Sequence, residues 1–508
     1  MYRVGEGKEW QQLETVMTNG MVAKKLRVGQ MLKVKAQALS PNGQGVVAEH
    51  VPAQIHVRNL LPSEEATVVV RHVSSHGGPA HADVSRRHSC AEARVVPSCA
   101  SFGPCGGCAV LHMSYSAQLA WKTACVKTEL AAVQVSVNDC IAAPFPSDYR
   151  CRVKLVATSH PVRKVMLGAF APRSHQVLDM AGCETNRRSL MLVAKTVAEE
   201  AAKLAIAPYD EESAVGSLRY VLLREVASGQ VQVSLVLADR PQQVRALADA
   251  IAARHPAVSS ITLHRNASRG NALLPAPTPF GERQPETNSG LEKKSLSEEE
   301  KELGSTDDDE IIVGDKFLWE ELTVPLRVSA RSFLQVNREV AKRMYSEAAR
   351  QLAHLSFDTV LDLYCGVSGL GLTVLRDHPD ARLFGIELGA SAIADAEASA
   401  AALGFSPPKA NFFVGKVEEV LPSLQAMATF GRTAAIINPP RRGCSEEALS
   451  ALCHSAPSHI IYMSCSPASL ARDLQYLIAR GYVAKLVMPF DMHPGTQHIE
   501  CLAVLERK

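Results

Sequence analysis

Thr359-Val360-Leu361-Asp362-Leu363-Tyr364-Cys365-Gly366-Val367-Ser368-Gly369 is an apolar run that ends in a turn carrying two glycines. Such a run, closed by a turn, reads as a buried strand, and Gly366 and Gly369 let backbone come close to a ligand where the next helix opens. Glu387 stands 21 positions after Gly366 at the end of a second apolar run, Arg382 to Glu387. That is the spacing at which an acidic residue grips ribose hydroxyls.

Apolar runs and helical patterns keep alternating: a helix from Gly369, another from Ala390 to Leu403, a strand over Ala434 to Asn438, a helix from Ser445, and a strand over His459 to Met463. This alternation predicts a parallel sheet with helices on both faces. Gly366-Val367-Ser368-Gly369-Leu370-Gly371 does not spell the dinucleotide fingerprint. With Glu387 on the second strand and Asn438-Pro439-Pro440 on the fourth, S-adenosylmethionine (SAM) fits the pocket better than NAD, and Asn438 is expected across it from Glu387.

Downstream lie Met463-Ser464-Cys465-Ser466-Pro467 and His498-Ile499-Glu500. A cysteine at a strand end is more often packing than chemistry. Cys465 differs because Pro467 and Ser469-Leu470-Ala471-Arg472-Asp473 begin a helix, whose positive end favours thiolate. Glu500 is the carboxylate available to act as a base beside it.

At 508 residues the chain is long enough for about three domains, and 46% apolar residues suffice for real cores. It contains no uninterrupted run of 18 apolar residues, and Met1 to Trp10 has no signal-like apolar core, so neither a membrane span nor a secretion signal is expected. A soluble, cytoplasmic monomer with reduced thiols is the expectation for its 13 cysteines. Glu282 to Glu310 holds eleven acidic and four basic residues, so the rest of this +2 chain carries about +9, a weak pointer to nucleic acid by itself. The stretch from Pro275 to Glu310 reads as a disordered acidic insertion.

Short β-rich runs from Val28 to about Asp83 predict a small β-barrel. With Lys24, Lys25, Arg27, Lys33 and Lys35 at its entrance, RNA docking and a purely structural role are equally served. Beyond it, Tyr149 to Leu178 alternates like antiparallel strands, a helix is expected from Arg187 to about Ile206, and a second α+β pattern runs from Leu218 to Ile261. Between barrel and strands, Cys99, Cys105 and Cys108 share one tight turn, with Cys183 able to join from a distance. Zinc and an iron–sulfur cluster both accept four thiolates, and the spacing leaves both open.

Together, Asp362-Leu363-Tyr364-Cys365-Gly366, Asn438-Pro439-Pro440-Arg441-Arg442-Gly443, Ser464-Cys465-Ser466-Pro467 and His498-Ile499-Glu500 resemble, in the same order, the RNA uracil-5 methyltransferases that make 5-methyluridine in bacterial 23S ribosomal RNA and in transfer RNA. The resemblance implies an α/β fold: a Rossmann-like class I methyltransferase domain at 326–508, a central α+β iron–sulfur domain at 89–325, and an N-terminal TRAM-like β-barrel at 25–88. It also implies a [4Fe–4S] cluster on Cys99, Cys105, Cys108 and Cys183, SAM contacts from Gln335, Tyr364, Glu387 and Asn438, Cys465 as nucleophile and Glu500 as base.

Carbon 5 of uracil is too weak a nucleophile to take a methyl from SAM unaided, and a thiolate added to carbon 6 cures this by making an enolate. The motif forms lean toward 23S rRNA over tRNA as partner. Three positions depart from the family: Ser466 where Asn is common, Lys416 where an acid is expected, and His493 where an aromatic is usual. Two rival readings remain, an N-methyltransferase using Asn-Pro-Pro and a non-catalytic iron–sulfur RNA-binding protein.

Overall fold

The computed structural model describes residues 26–48, 54–268, 274, 309–427 and 430–508. Lys24, Lys25 and the acidic run up to position 308 lie outside the described residues. The chain forms two compact units, Met1–Arg94 and Val95–Lys508, so both flanks of position 325 belong to one unit.

In the first unit, β1 (Met31–Lys35), β2 (Ala38–Leu39), β3 (Gly45–Val47), β4 (Ile55–Arg58), β5 (Glu65–His72) and β6 (Ala80–Arg87) form one sheet in the order β1-β5-β6-β4-β3-β2. Alternation in β5 buries Ala66, Val68 and Val70 against Val34, Val57 and Ala82. Gly45 is required there, because a Cβ at its position would lie 2.5 Å from Leu60 O.

The second unit holds two large sheets. After β7 (Ser136–Val137), the strands β8 (Arg152–His160), β9 (Lys164–Phe170), β10 (Val177–Asp179), β11 (Leu218–Glu225), β12 (Val231–Leu237), β13 (Val258–Arg265) and β14 (Glu310–Gly314) follow along the chain. They make a seven-stranded sheet in the order β10-β9-β8-β11-β12-β13-β14, antiparallel except for β12 beside β13. Helices Arg188–Lys203 and Val244–Arg254 bury Leu190, Val197, Leu247 and Ile251 against Leu155, Val221, Val233 and Ile261. The segments that flank the acidic run therefore pair directly, Leu263 opposite Glu310.

A hairpin of β15 (Phe317–Glu321) and β16 (Pro325–Ser329) leads to helix Arg338–Leu352 and the second sheet. Its strands are β17 (Thr359–Leu363), β18 (Arg382–Glu387), β19 (Ala410–Val414), β20 (Thr433–Ile437), β21 (His459–Ser464), β22 (Tyr482–Phe490) and β23 (Glu500–Arg507). They stand in the order β19-β18-β17-β20-β21-β23-β22, with β7 at the far edge.

Every residue of β17 and β20 is buried, which is why they appear in the sequence as largely apolar runs, broken in β17 by Asp362. One face packs Val360, Leu383, Ile436 and Ile461 against helices Arg338–Leu352 and Gly369–Asp377. The other packs Leu361, Ile386, Ile437 and Tyr462 against helices Val417–Met427, Glu446–Ser455 and Pro467–Ile478.

The strands expected to be parallel, β17, β18, β20 and β21, pair in parallel, and β19 joins them in the same sense. β23 enters antiparallel between β21 and β22, because the short link from β22 to β23 allows a hairpin-like return and no crossover helix.

Candidate active site

At the C-terminal ends of β17, β18, β20 and β21 a cleft of about 1050 Å³ opens. Gln335, Tyr364, Glu387, Asn438, Cys465 and Glu500 all line it, so the six residues singled out in the sequence meet in one place. Ligands gather where parallel strands end in this way.

The glycine turn is held in an unusual backbone state, with Tyr364, Gly366 and Ser368 at φ of 59°, 55° and 56°. Two of the three are not glycine, a concentration of strained φ values typical of ligand-binding turns. Glu387 fixes the turn: its carboxylate accepts from Gly366 N and from Gly389 N, each at 3.0 Å. Beneath it Asp362 is buried, accepts from Ser368 Oγ at 2.7 Å, and has its carboxyl pushed by burial up to about 7. Asp362 lies inside the stretch that decides the fold, yet its supporting role shows only once Gly371 is seen packed on it.

Gln335 sits on a loop gripped from the neighbouring sheet. Arg224 donates to Ser329 O at 2.7 Å and Arg152 to Ala330 O at 3.1 Å, while Cys151 backs Gln335 and Val336. Burial lowers the Arg224 guanidinium to about 9, a cost accepted in a group that forks to two carbonyls.

Strand register brings the thiol and the carboxylate together. Ser464 pairs with Cys501 across β21 and β23, so one further step sets Cys465 opposite Glu500, and Glu500 pairs on its other side with Phe490. Facing residues in an antiparallel pair project to the same side. Glu500 is buried, and burial pushes its carboxyl up to about 8 against the pull of Arg441.

The Cys465 thiol is raised to about 11 by burial and by Glu500, with Arg441 pulling down. The helix end that favours thiolate is opposed here by burial and by the carboxylate. A helix dipole contributes about 0.3–1 kcal/mol, less than one pKa unit, and burial beside a carboxylate outweighs it. Arg441, quoted in the Asn-Pro-Pro-Arg motif without a role of its own, lines the cleft beside both groups. Its only signal was its place directly after Asn438-Pro439-Pro440.

The departures from the family pattern have clear places. Ser466 caps helix Pro467–Ile478 by accepting from Ser469 N at 3.3 Å, a role Asn fills equally well. His493 and His498 line the cleft with ring centroids 5.7 Å apart, and burial together with Arg441 and Arg150 holds both neutral, His498 at about 4. Lys416 also lines the cleft.

The cysteine turn lies close to the loop that precedes Glu500. Cys108 is raised to about 12 by burial and by Cys183, Cys105 and Cys99, so the four thiols sense one another. Gly106 has φ of 67°, and a Cβ there would collide with Pro172. Among the described residues no three His, Cys, Asp or Glu side chains converge as ligands of a metal ion. Four thiols with positive charge from Arg150 beside Cys108 are a donor set whose chemistry zinc and an iron–sulfur cluster both accept.

A family model described as tRNA (Uracil-5-)-methyltransferase matches residues 421–508, the part that carries Asn438, Cys465 and Glu500. An uncharacterised RNA methyltransferase of Halalkalibacterium halodurans is 30% identical over 486 residues, covering 94% of this chain and 97% of that protein. The chain belongs to the RNA uracil-5 methyltransferase family. A second relative, an uncharacterised RNA methyltransferase of Geobacter sulfurreducens, is 30% identical and covers 97% of this chain and 93% of its own. The crystal structure of Pyrococcus abyssi tRNA (uracil-54, C5)-methyltransferase in complex with S-adenosyl-L-homocysteine shares the fold, with TM-score 0.67 and 22% identity over 93% of this chain and 100% of that one. The protein is thus a methyltransferase. Among the described residues no helix is long and apolar enough to cross a membrane.

Proposed function

We propose that this methyltransferase transfers a methyl group from SAM to carbon 5 of one uridine in RNA through a covalent Cys465 adduct. The observation that carries the reading is the meeting of Cys465, one residue past the Ser464–Cys501 pair, with Glu500 in a cleft also lined by Glu387 and Asn438. Cys465 Sγ gives its proton to solvent in the cleft, the thiolate bonds to carbon 6 of the uracil, and the carbon 5–carbon 6 π electrons move onto the carbon 4 oxygen as an enolate. Carbon 5 then attacks the sulfonium methyl, leaving S-adenosylhomocysteine. Glu500 takes the proton from carbon 5, the carbon 6–sulfur bond breaks, and the electron pair returns to Cys465 as thiolate. Arg441 lies beside both groups, so the thiolate and the carboxylate each have a cation at hand when charged. A base raised to about 8 suits proton removal near neutral pH.

Gln335, Tyr364, Glu387 and Asn438 hold SAM in this reading. Cys99, Cys105, Cys108 and Cys183 hold a [4Fe–4S] cluster, which serves as a clasp for the turn and does no redox chemistry. The first unit is a TRAM-like domain that docks RNA. The substrate is 23S rRNA, on the form of the Asp362 to Leu372 run and of Asn438-Pro439-Pro440-Arg441-Arg442-Gly443. Transfer RNA is the second reading, favoured by the name of the family model and of the Pyrococcus abyssi protein.

RNA containing 5-fluorouridine tests the chemistry. A denaturation-resistant protein–RNA complex that disappears in Cys465→Ala is the expected outcome, and methylation without any trapped complex refutes the adduct. Mapping 5-methyluridine lost from the RNA of a deletion strain names the target. Iron and sulfide assays on anaerobically purified protein test the cluster.

A further inference from the structure

Lys122 carries a charge at a place with no access to water. It lies on helix Tyr115–Glu129, its side chain is 0% exposed, and so is that of its partner Asp491. Its ammonium donates to Asp491 Oδ1 at 2.6 Å, to His493 O at 3.1 Å and to His498 O at 2.9 Å, which uses all three of its protons. All three acceptors belong to the loop that joins β22 to β23, and β23 begins with Glu500. The same helix and its approach hold the loop's middle: Gln118 Oε1 accepts from Gly495 N at 2.9 Å, and Val110 N donates to Gly495 O at 3.0 Å.

A buried ion pair is weak evidence for stability, since desolvating two charges offsets most of their attraction. What this pair adds is geometry. The two carbonyls it grips lie seven and two positions before Glu500, on either side of the turn. A loop this short, pinned at both ends, transmits any shift straight to the first residue of the strand. Misplacing a reacting group by about 1 Å costs on the order of 100-fold in rate.

The geometry points to Lys122 as the positioning residue for Glu500: its ammonium, paired with Asp491, clamps the 491–498 loop so that the carboxylate meets the carbon 5 proton of the Cys465 adduct. This rests on the reading of Glu500 as the base. Lys122 is not among the residues that line the cleft, so its loss impairs the proton-removal step and spares methyl transfer into the adduct.

The test is a single-turnover reaction of the full-length protein with methyl-labelled SAM and RNA from a deletion strain, comparing label in the denaturation-resistant protein–RNA adduct with label in released RNA. Glu500→Gln is the reference, and it accumulates labelled adduct. The double variant Lys122→Met/Asp491→Leu removes both charges, which such pairs tolerate in packing, but leaves His493 O and His498 O unclamped. The inference expects wild-type SAM affinity, adduct formation at the wild-type rate, and release slowed about 10- to 100-fold.

Release at the wild-type rate from the double variant overturns the inference and makes the pair structural only. Absence of adduct in Glu500→Gln breaks the underlying reading and removes the inference with it. If the double variant does not fold, Lys122→Gln is the graded replacement, since its amide donates two hydrogen bonds where the ammonium donates three. Adduct accumulation in it supports the clamp, and unimpaired release overturns it.

Discussion

Replacing Glu500 by Gln should stabilise the protein at alkaline pH while blocking turnover. The folded carboxyl titrates at about 8 against an ordinary 4.5. Between those values the folded state binds the proton that the unfolded state has lost, so stability falls as pH rises. The stability this group contributes is full below pH 4.5, lost as pH passes 8, and constant above. At about 1.4 kcal/mol per pH unit the whole effect is on the order of 5 kcal/mol. Local relaxation on ionisation brings a realistic value to about 2 kcal/mol. Gln keeps the shape and cannot ionise, so the variant escapes this loss.

The assay is thermal unfolding of wild type and Glu500→Gln from pH 5 to 9. The two curves should coincide near pH 5 and separate progressively, the variant melting about 2–4 °C higher at pH 9. Identical melting at pH 9, or a variant less stable at every pH, would refute the reasoning, because it would mean that Glu500 is ionised and well paired in the folded state. In the same samples, release of product by the wild type should rise between pH 7 and 9 as the base deprotonates.

Cys465→Ala should abolish methyl transfer and leave SAM affinity by calorimetry unchanged, and loss of both would mark the thiol as structural. Glu387→Gln removes the charge that accepts Gly366 N and Gly389 N, and SAM binding should weaken by about 10-fold or more, since hydrogen bonds to charged groups are worth about 1.5–3 kcal/mol. Gly371→Ala drives a Cβ into Asp362 Oδ2 and Ser368 Oγ, and should cost about 1–3 kcal/mol in chemical unfolding by overpacking. Ser466→Asn should leave kcat within about twofold, because Asn caps the helix as Ser does.

The sequence by itself determined the sheet that carries the site. Strands covered on both faces are mostly apolar, so β17, β20 and β21 were legible as apolar-rich runs, and the glycine turn, Glu387, Asn438 and Cys465 fell at strand ends where ligands collect. These are local facts, spelled within a few residues.

Tertiary structure alone decided three others. Insertion of β23 between β21 and β22 sets Cys465 opposite Glu500, and a register between segments 35 residues apart has no local signature. The resting state of the thiol depends on burial and on a neighbouring carboxylate, both of which outweigh the helix dipole that the sequence does reveal. Lys122 reaches the loop before Glu500 from some 370 positions away, and a lysine in an ordinary helix pattern reads as solvated until folding surrounds it with three acceptors and removes the water.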